Sequence, residues 1–312
     1  MASPSLSVLL KVAKVALLMI ISHSLFSQQV ADTTYRPELP HPAYAPGKGP
    51  VLFIDEGHHN FHTKSGRYRA FSDLLERDGY QVLPYEGTFV KKQLKHGKIL
   101  VISNALNQAN VNDWYLPAPS AFTESEINIL NQWVKRGGSL FLIADHMPMA
   151  GAAEELAASF GFGFNNGFAM DTVNPGPAFF SLEDQTLAKS VITQGREPEE
   201  NVTQVVSFTG QAFKIPEDAT PVLTFGSSFV TLMPDTAWVF DDRTRREGVE
   251  GWSQGAFKPY GKGRVVVFGE AAMFTAQLAG PNKIKAGMNS EIAGENYKLL
   301  LNIIHWLDGR LD

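Results

Sequence analysis

The chain has 312 residues, 27 basic and 32 acidic side chains, a formal net charge of −5 and no cysteine. Without cysteine there is no thiolate metal site, no cysteine nucleophile and no thioether-linked lipid. The mild negative charge, with no long basic stripe, excludes the concentrated positive footprint that nucleic-acid binding needs.

The first residues have the pattern of an export signal. Lys11 and Lys14 precede an apolar run from Val15 to Ile21, and small and polar residues follow through Ser27. A short positive region, a short apolar core and a small-residue exit predict a signal peptide over 1–27, cleaved before Gln28. The run is short for a bilayer span, so no membrane anchor is expected after cleavage; an uncleaved anchor is the alternative. The expected location is outside the cytoplasm, periplasmic or secreted. Residues 28–50 are rich in proline and lack apolar periodicity, which predicts an extended linker. A single domain is expected over 51–309.

Strands and helices then alternate. VLFID (51–55) predicts a strand buried on both faces, and Tyr68, Phe71, Leu74 and Leu75 recur at helical spacing up to a stop at Gly79. QVLPY (81–85) predicts a peripheral strand because Pro84 cannot donate to a ladder. The lysines at 91, 92, 95 and 98 cover a helix surface before KILVIS (98–103), a third strand. Thr123 and Glu126 form a capping-box pattern opening a helix with Ile127, Leu130, Trp133 and Val134 on one face. SLFLIA (139–144) predicts a fourth strand, followed by a helix from Ala152 to Phe160. Beyond about residue 165, strand-like pieces at 205–210, 221–226 and 236–242 predict antiparallel additions. RVVVFG (264–269) returns as a buried strand, and a last helix runs from Glu295 to Leu307. The class is α/β: a mostly parallel sheet with helices on both faces and an added β-rich segment.

Chemically capable residues gather where these strands end. Strand one runs into Asp55, Glu56, Gly57, His58, His59, Asn60, Phe61 and His62; strand three ends in Ser103 and Asn104; strand four ends in Asp145 and His146; the late strand ends in Glu270. Ligands of doubly wound sheets bind beyond such carboxyl ends. With strand order 2-1-3-4, the first and fourth tips lie roughly 10 Å apart at ~4.8 Å per step, spanning a small molecule or a metal. Imidazole with carboxylate suits a divalent transition metal such as zinc, with His58, His59 and His62 as expected ligands. A metal-bound water would attack, and Glu56, Asp145, His146 and Glu270 are the expected acid–base residues. Asn60, Asn104 and Gln277 are expected to touch substrate, with Asn289 a weaker candidate. The spacing differs from the HExxH helix of metalloproteases. The competing reading has Asp55 and Asp145 capping turns while the histidines bond backbone carbonyls. Acid–base catalysis by Glu56 and His146 without metal is a further alternative, as is a non-catalytic module holding a small ligand or a partner loop. His305 is expected to pack in the core, and the charged stretch at 241–246 to form a solvated turn. Trp252-Ser253-Gln254-Gly255 lacks the nucleophile elbow G-x-S-x-G.

The tracts DEGHHNFHT (55–63), FLIADHMPMAGAAEELAASFGF (141–162), GKGRVVVFGEAAMFTAQ (261–277) and NYKLLLNIIHWLDG (296–309) resemble a group of bacterial proteins of unknown function with a class I glutamine amidotransferase-like domain. The resemblance spans roughly 50–309 and implies a flavodoxin-like fold. True amidotransferases carry their catalytic cysteine in the turn after the fourth strand, where this chain has Ala144-Asp145-His146-Met147. Glutaminase activity is therefore not implied, and no activity of the group transfers to these positions.

Overall fold

Adjacent residues of the central strands enter opposite cores, which is what a sheet covered on both faces requires. In β5 (Ser139–Ile143), Phe141 and Ile143 join one core while Leu140 and Leu142 join the other. β4 (Ile99–Ser103) and β13 (Gly263–Phe268) divide in the same way. The computed structural model describes residues 29–312; the expected signal segment lies outside them. Among the described residues no helix is long and apolar enough to cross a membrane.

The sheet has seven strands in the order β3-β2-β4-β5-β13-β12-β9. β2 (Val51–Asp55), β3 (Gln81–Tyr85), β4, β5 and β13 are parallel, which gives the flavodoxin-like order 2-1-3-4-5. β12 (Ser253–Tyr260) and β9 (Thr220–Thr224) extend it by antiparallel pairing. Pro84 lies in β3, at the sheet's edge, where its missing N–H costs no ladder bond.

Helices α1 (Arg69–Arg77) and α6 (Asn296–Asp308) cover one face with Phe71, Leu74, Leu75, Leu300, Ile304 and Leu307. On the other face, α3 (Glu124–Lys135) and α4 (Met149–Ser159) bring Ile127, Leu130, Val134, Leu156 and Ala157. A four-residue helix α2 (Lys91–Leu94) ahead of β4 carries Lys91 and Lys92 only; Lys95 caps its end and Lys98 lies beyond it. The expected capping box is formed: Thr123 Oγ1 accepts from Glu126 N, and Glu126 accepts from Thr123 N at 3.0 Å.

The added segment builds small antiparallel sheets. β6 (Phe168–Asp171), β10 (Phe229–Met233) and β11 (Arg245–Gly248) form one, and β7 (Ala178–Ser181) pairs with β8 (Gln204–Ser207). Residues 236–242, expected as a strand, are not one. Trp238 has φ 66°, which interrupts an extended run, and Ala237 N instead donates to Trp114 O at 2.8 Å. Their apolar side chains lie over the strand tips and not in a core. Helix α4 begins three residues before its expected start, because His146 O already accepts from Met149 N.

The proline-rich stretch runs through turns and bends and is held at several points. β1 (Gln29–Ala31) pairs with β14 (Ala276–Ala279), which in turn pairs with β15 (Ile284–Gly287). Asp78, buried at the end of α1, accepts from Ala43 N through Oδ1 and from His305 Nε2 through Oδ2, each at 2.6 Å. His305 is thereby a core residue. The two-faced sheet predicts that Leu142→Ala, which empties one fully buried layer, lowers unfolding free energy by about 2–5 kcal/mol in urea denaturation. A loss below about 1 kcal/mol would contradict that packing.

Candidate functional site at the carboxyl end of the sheet

Strand order reverses between β2 and β4, and the loops after these strands are sewn together. Phe61 N donates to Asn104 O, and Leu106 N to His58 O, both at 2.9 Å. Gly57 packs against the backbone of Gly87 so closely that no Cβ would fit. His59 and Asn104 both adopt φ 49°, so left-handed backbone occurs on each side of the reversal. Such backbone in non-glycine residues concentrates at functional sites.

His58 has a structural task. Its Nδ1 lies 2.9 Å from Asp55 Oδ1, its Nε2 lies 3.0 Å from Glu126 Oε1, and its ring sits between Phe89 and Phe122. Burial alone would favour the neutral imidazole, but hydrogen bonds and charge from Asp55 and Glu126 outweigh it and raise the His58 pKa above 6.5. Burial likewise opposes ionisation of Glu126, and bonds from Thr123, His58 and Phe89 N hold its pKa below 4.5. An imidazolium between two carboxylates thus ties the first loop to the start of α3. Asn60 completes the knot: its Nδ2 donates to Asp55 Oδ2 at 2.9 Å and its Oδ1 accepts from His58 N.

A second knot joins three strand tips. Asn104 Nδ2 donates to Asp145 Oδ2 at 2.7 Å, Asp145 N donates to Asn104 Oδ1 at 2.8 Å, and Ala271 N donates to Asp145 Oδ1 at 2.5 Å. Asp145 keeps some contact with solvent. Burial of the rest raises its pKa to about 6, although Asn104, Ala271 N and the Arg67 charge all favour the ionised form. Glu270 is buried, and its oxygens accept from Ala272 N and Met273 N at 2.8 Å. Burial, and then the Asp145 charge, push its carboxyl well above the usual range.

His146 is in an aromatic enclosure. Its ring stacks on Phe168 at 4.1 Å, with Trp238 at 4.8 Å and Trp114 at 6.3 Å. Nδ1 lies 2.7 Å from Met147 O, so that nitrogen carries the proton and Nε2 keeps its lone pair. Burial lowers the His146 pKa to about 4 despite this bond, leaving the ring neutral at neutral pH. The rim continues from Trp114 to Phe61, at 5.7 Å, and from Phe61 to Arg67, whose guanidinium lies 4.1 Å from the ring centroid. Trp238, Val239, Tyr115 and Leu116 are exposed along this edge. His62 is buried against Tyr68 with Nδ1 unpartnered, and burial lowers its pKa to about 3, assisted by the Arg67 charge.

The expected residues therefore separate. Asn104, Asp145 and His146 come together at neighbouring strand tips, and Gln277 is linked to the same end by accepting from Arg67 Nη1 at 3.2 Å. Glu56 turns away to accept from Lys64 N at 2.7 Å, and Glu270 is committed to backbone amides. Asn289 bonds to Asp32 and to Gln277 O. The expected ligand set of His58, His59 and His62 does not converge. His58 spends both nitrogens on carboxylates and His59 is exposed, and no group of three or more histidine and acidic side chains among the described residues is placed to hold a metal. The sequence reading missed Arg67, Trp114 and Trp238, which carry no local motif. It found Glu126 only as a helix cap. A separate groove beside β6 and β10, lined by Met170, Phe208, Phe229 and Gln254, holds none of the expected residues.

No protein-family model matches the chain, and no curated protein matches it either. Among solved structures, the N-terminal domain of mmIFT52 superposes with a TM-score of 0.56 at 14% identity, covering 82% of this chain and 96% of that domain. This likeness is one of fold. Looser superpositions include a protein of Bacteroides uniformis described as ThuA-like (TM-score 0.46, 13% identity, covering 86% and 95%). Another is the cytoplasmic protein STM1381 of Salmonella typhimurium (0.44, 14%, 82% and 98%). The class is thus flavodoxin-like α/β, and with no cysteine the chain has no amidotransferase nucleophile.

Two outcomes follow from the charges. His58→Gln leaves Asp55 and Glu126 without their shared cation and should cost about 3 kcal/mol of stability in denaturant titrations below neutral pH. Because the folded pKa of His58 lies above the unfolded value of 6.5, this stabilisation is complete below 6.5 and fades as pH rises through the folded value. A wild-type-to-variant gap that widens with pH would contradict the ion triad. Carboxyl-detected NMR should also show Asp145 titrating near 6, while a midpoint at the ordinary 3.8 would refute its buried setting.

Proposed function

We propose that the protein is an acid–base hydrolase of a small saccharide-like molecule, working in the crevice over Asn104 and Asp145. The observation that carries this reading is Asp145 itself: a positioned carboxyl on a half-buried residue, whose pKa of about 6 lets it give or take a proton near neutral pH. The aromatic edge of Phe61, Trp114 and Trp238 suits the C–H-rich face of a sugar ring, and the polar floor suits its hydroxyls. In this scheme protonated Asp145 gives its proton to the leaving oxygen while water attacks, and His146 Nε2 takes the proton that water loses. One proton passing through solvent from imidazolium to carboxylate restores both groups.

A second reading, ligand binding without turnover, is favoured by the engagement of both Asp145 oxygens with Ala271 N and Asn104 Nδ2. The divalent metal remains a proposal. It would draw on His146 Nε2 and Asp145, since His58 is held by Asp55 and Glu126. Action outside the cytoplasm is likewise proposed, on the N-terminal pattern alone.

Calorimetric titration and turnover assays with a panel of neutral mono- and disaccharides and their aryl glycosides test the scheme. Asp145→Asn should reduce turnover by about a hundredfold or more while leaving substrate affinity near that of the native protein. Turnover unaffected by this substitution would refute the catalytic scheme. Binding without turnover would select the second reading, and turnover lost to a chelator and restored by zinc would select the metal.

A further inference from the structure

The half-buried guanidinium of Arg67 is held by neutral acceptors and bonds to no carboxylate among the described residues, although it lies within reach of the Asp145 charge. Nη1 donates to Gln29 Oε1 at 2.6 Å and to Gln277 Oε1 at 3.2 Å, both neutral acceptors, and the carbon of the guanidinium sits over Phe61. No carboxylate pairs with it among the described residues, and residues 1–28 contain no Asp or Glu to supply one. Nε and Nη2 make no hydrogen bond among the described residues. Of the other half-buried arginines, Arg196 bonds to Glu200 and Arg264 to Asp312, while Arg77 donates to the Pro37 carbonyl. The nearest acid of the crevice, Asp145, spends its oxygens on Asn104 and Ala271. Lys64, three residues before Arg67, pairs with Glu76 at 2.8 Å, so no competing cation is left free beside it on that loop.

An orienting frame of two amide oxygens and an aromatic face, built around a cation with no hydrogen-bonded carboxylate among the described residues, is an arrangement for receiving an anion. Nε and Nη2, which meet no acceptor among the described residues, form the planar fork that matches an oxyanion by two parallel hydrogen bonds. Partial desolvation strengthens such a pair relative to one at an open surface. The rim from Arg67 through Phe61 and Trp114 to His146 is continuous, so an anion on the fork and a ring beneath the aromatic edge belong to one ligand. We infer that Arg67 is a specificity-determining residue that binds an oxyanion of the ligand, so that the crevice selects a carboxylate-bearing sugar acid over the neutral sugar. This rests on the saccharide-like reading of the same crevice.

The experiment compares glucuronate, glucose and glucose 6-phosphate by calorimetry on the full protein, native and with Arg67→Gln. Glucuronate should bind the native protein about tenfold or more tightly than glucose, and Arg67→Gln should remove that difference while glucose affinity stays unchanged. Added salt should weaken glucuronate and leave glucose unaffected in the native protein, a measurement that does not depend on the variant folding. A stronger preference for glucose 6-phosphate would keep Arg67 as an oxyanion site but replace the carboxylate by a phosphate. Glucose bound as tightly as both anions would overturn the inference while leaving the saccharide reading in place. If no sugar of either kind binds, both fall together.

Discussion

Asp145 and Asn104 are joined by two hydrogen bonds running in opposite directions, and a third bond brings in Ala271 from the end of β13. These contacts lock the tips of three adjacent parallel strands at one spot. Asn104 can take part because its backbone tolerates the left-handed turn that aims its side chain across to β5. Once the tips are fixed, His146 is carried into the aromatic enclosure by the turn into α4. The floor of the crevice is thus made by strand ends, which move less than loops, and only its walls are made by connections.

Two groups of ionisable side chains lie at this end of the sheet; burial opposes charge in both, and they differ in whether their partners outweigh it. Around His58 hydrogen bonds and opposite charge outweigh burial, so the imidazolium and Glu126 are held in their charged forms and, bonded to Asp55, serve as a brace. Around Asp145 burial is not offset by enough opposite charge, so it drives Glu270, next to the Asp145 charge, toward the neutral acid and His62 and His146 toward the neutral base. Satisfied pairs stabilise; incompletely satisfied groups have protons to exchange. Residue types alone do not separate these cases, because histidine next to acid occurs in both.

Much of the fold was legible in the sequence. The strands at 51–55, 99–103 and 139–143, the capping box at Thr123 and Glu126, and the edge position of Pro84 follow from rules that act within a few residues. Residues 236–242 were misread because apolar residues in an exposed lid resemble a strand when their partners are unknown. The candidate site was legible only as a region. Asp145, His146 and Asn104 were found because they terminate strands, whereas Arg67 and Trp238 reach the crevice through packing between segments distant in the chain. His58 and Glu270 had the right chemistry but are occupied, by Glu126 from 68 residues away in the one case and by the amides of Ala272 and Met273 in the other.

The proposed small-molecule site lies over Asn104 and Asp145, beside Phe61, Trp114 and Trp238. A crystallographic fragment screen with neutral polyols, aryl fragments and small carboxylates tests it without assuming a reaction. The account predicts that bound fragments cluster in this crevice, with aryl and sugar-like faces on the aromatic rim and carboxylates on Arg67. Fragments gathered instead in the groove of Met170, Phe229 and Gln254, with the Asp145 crevice empty throughout, would contradict it.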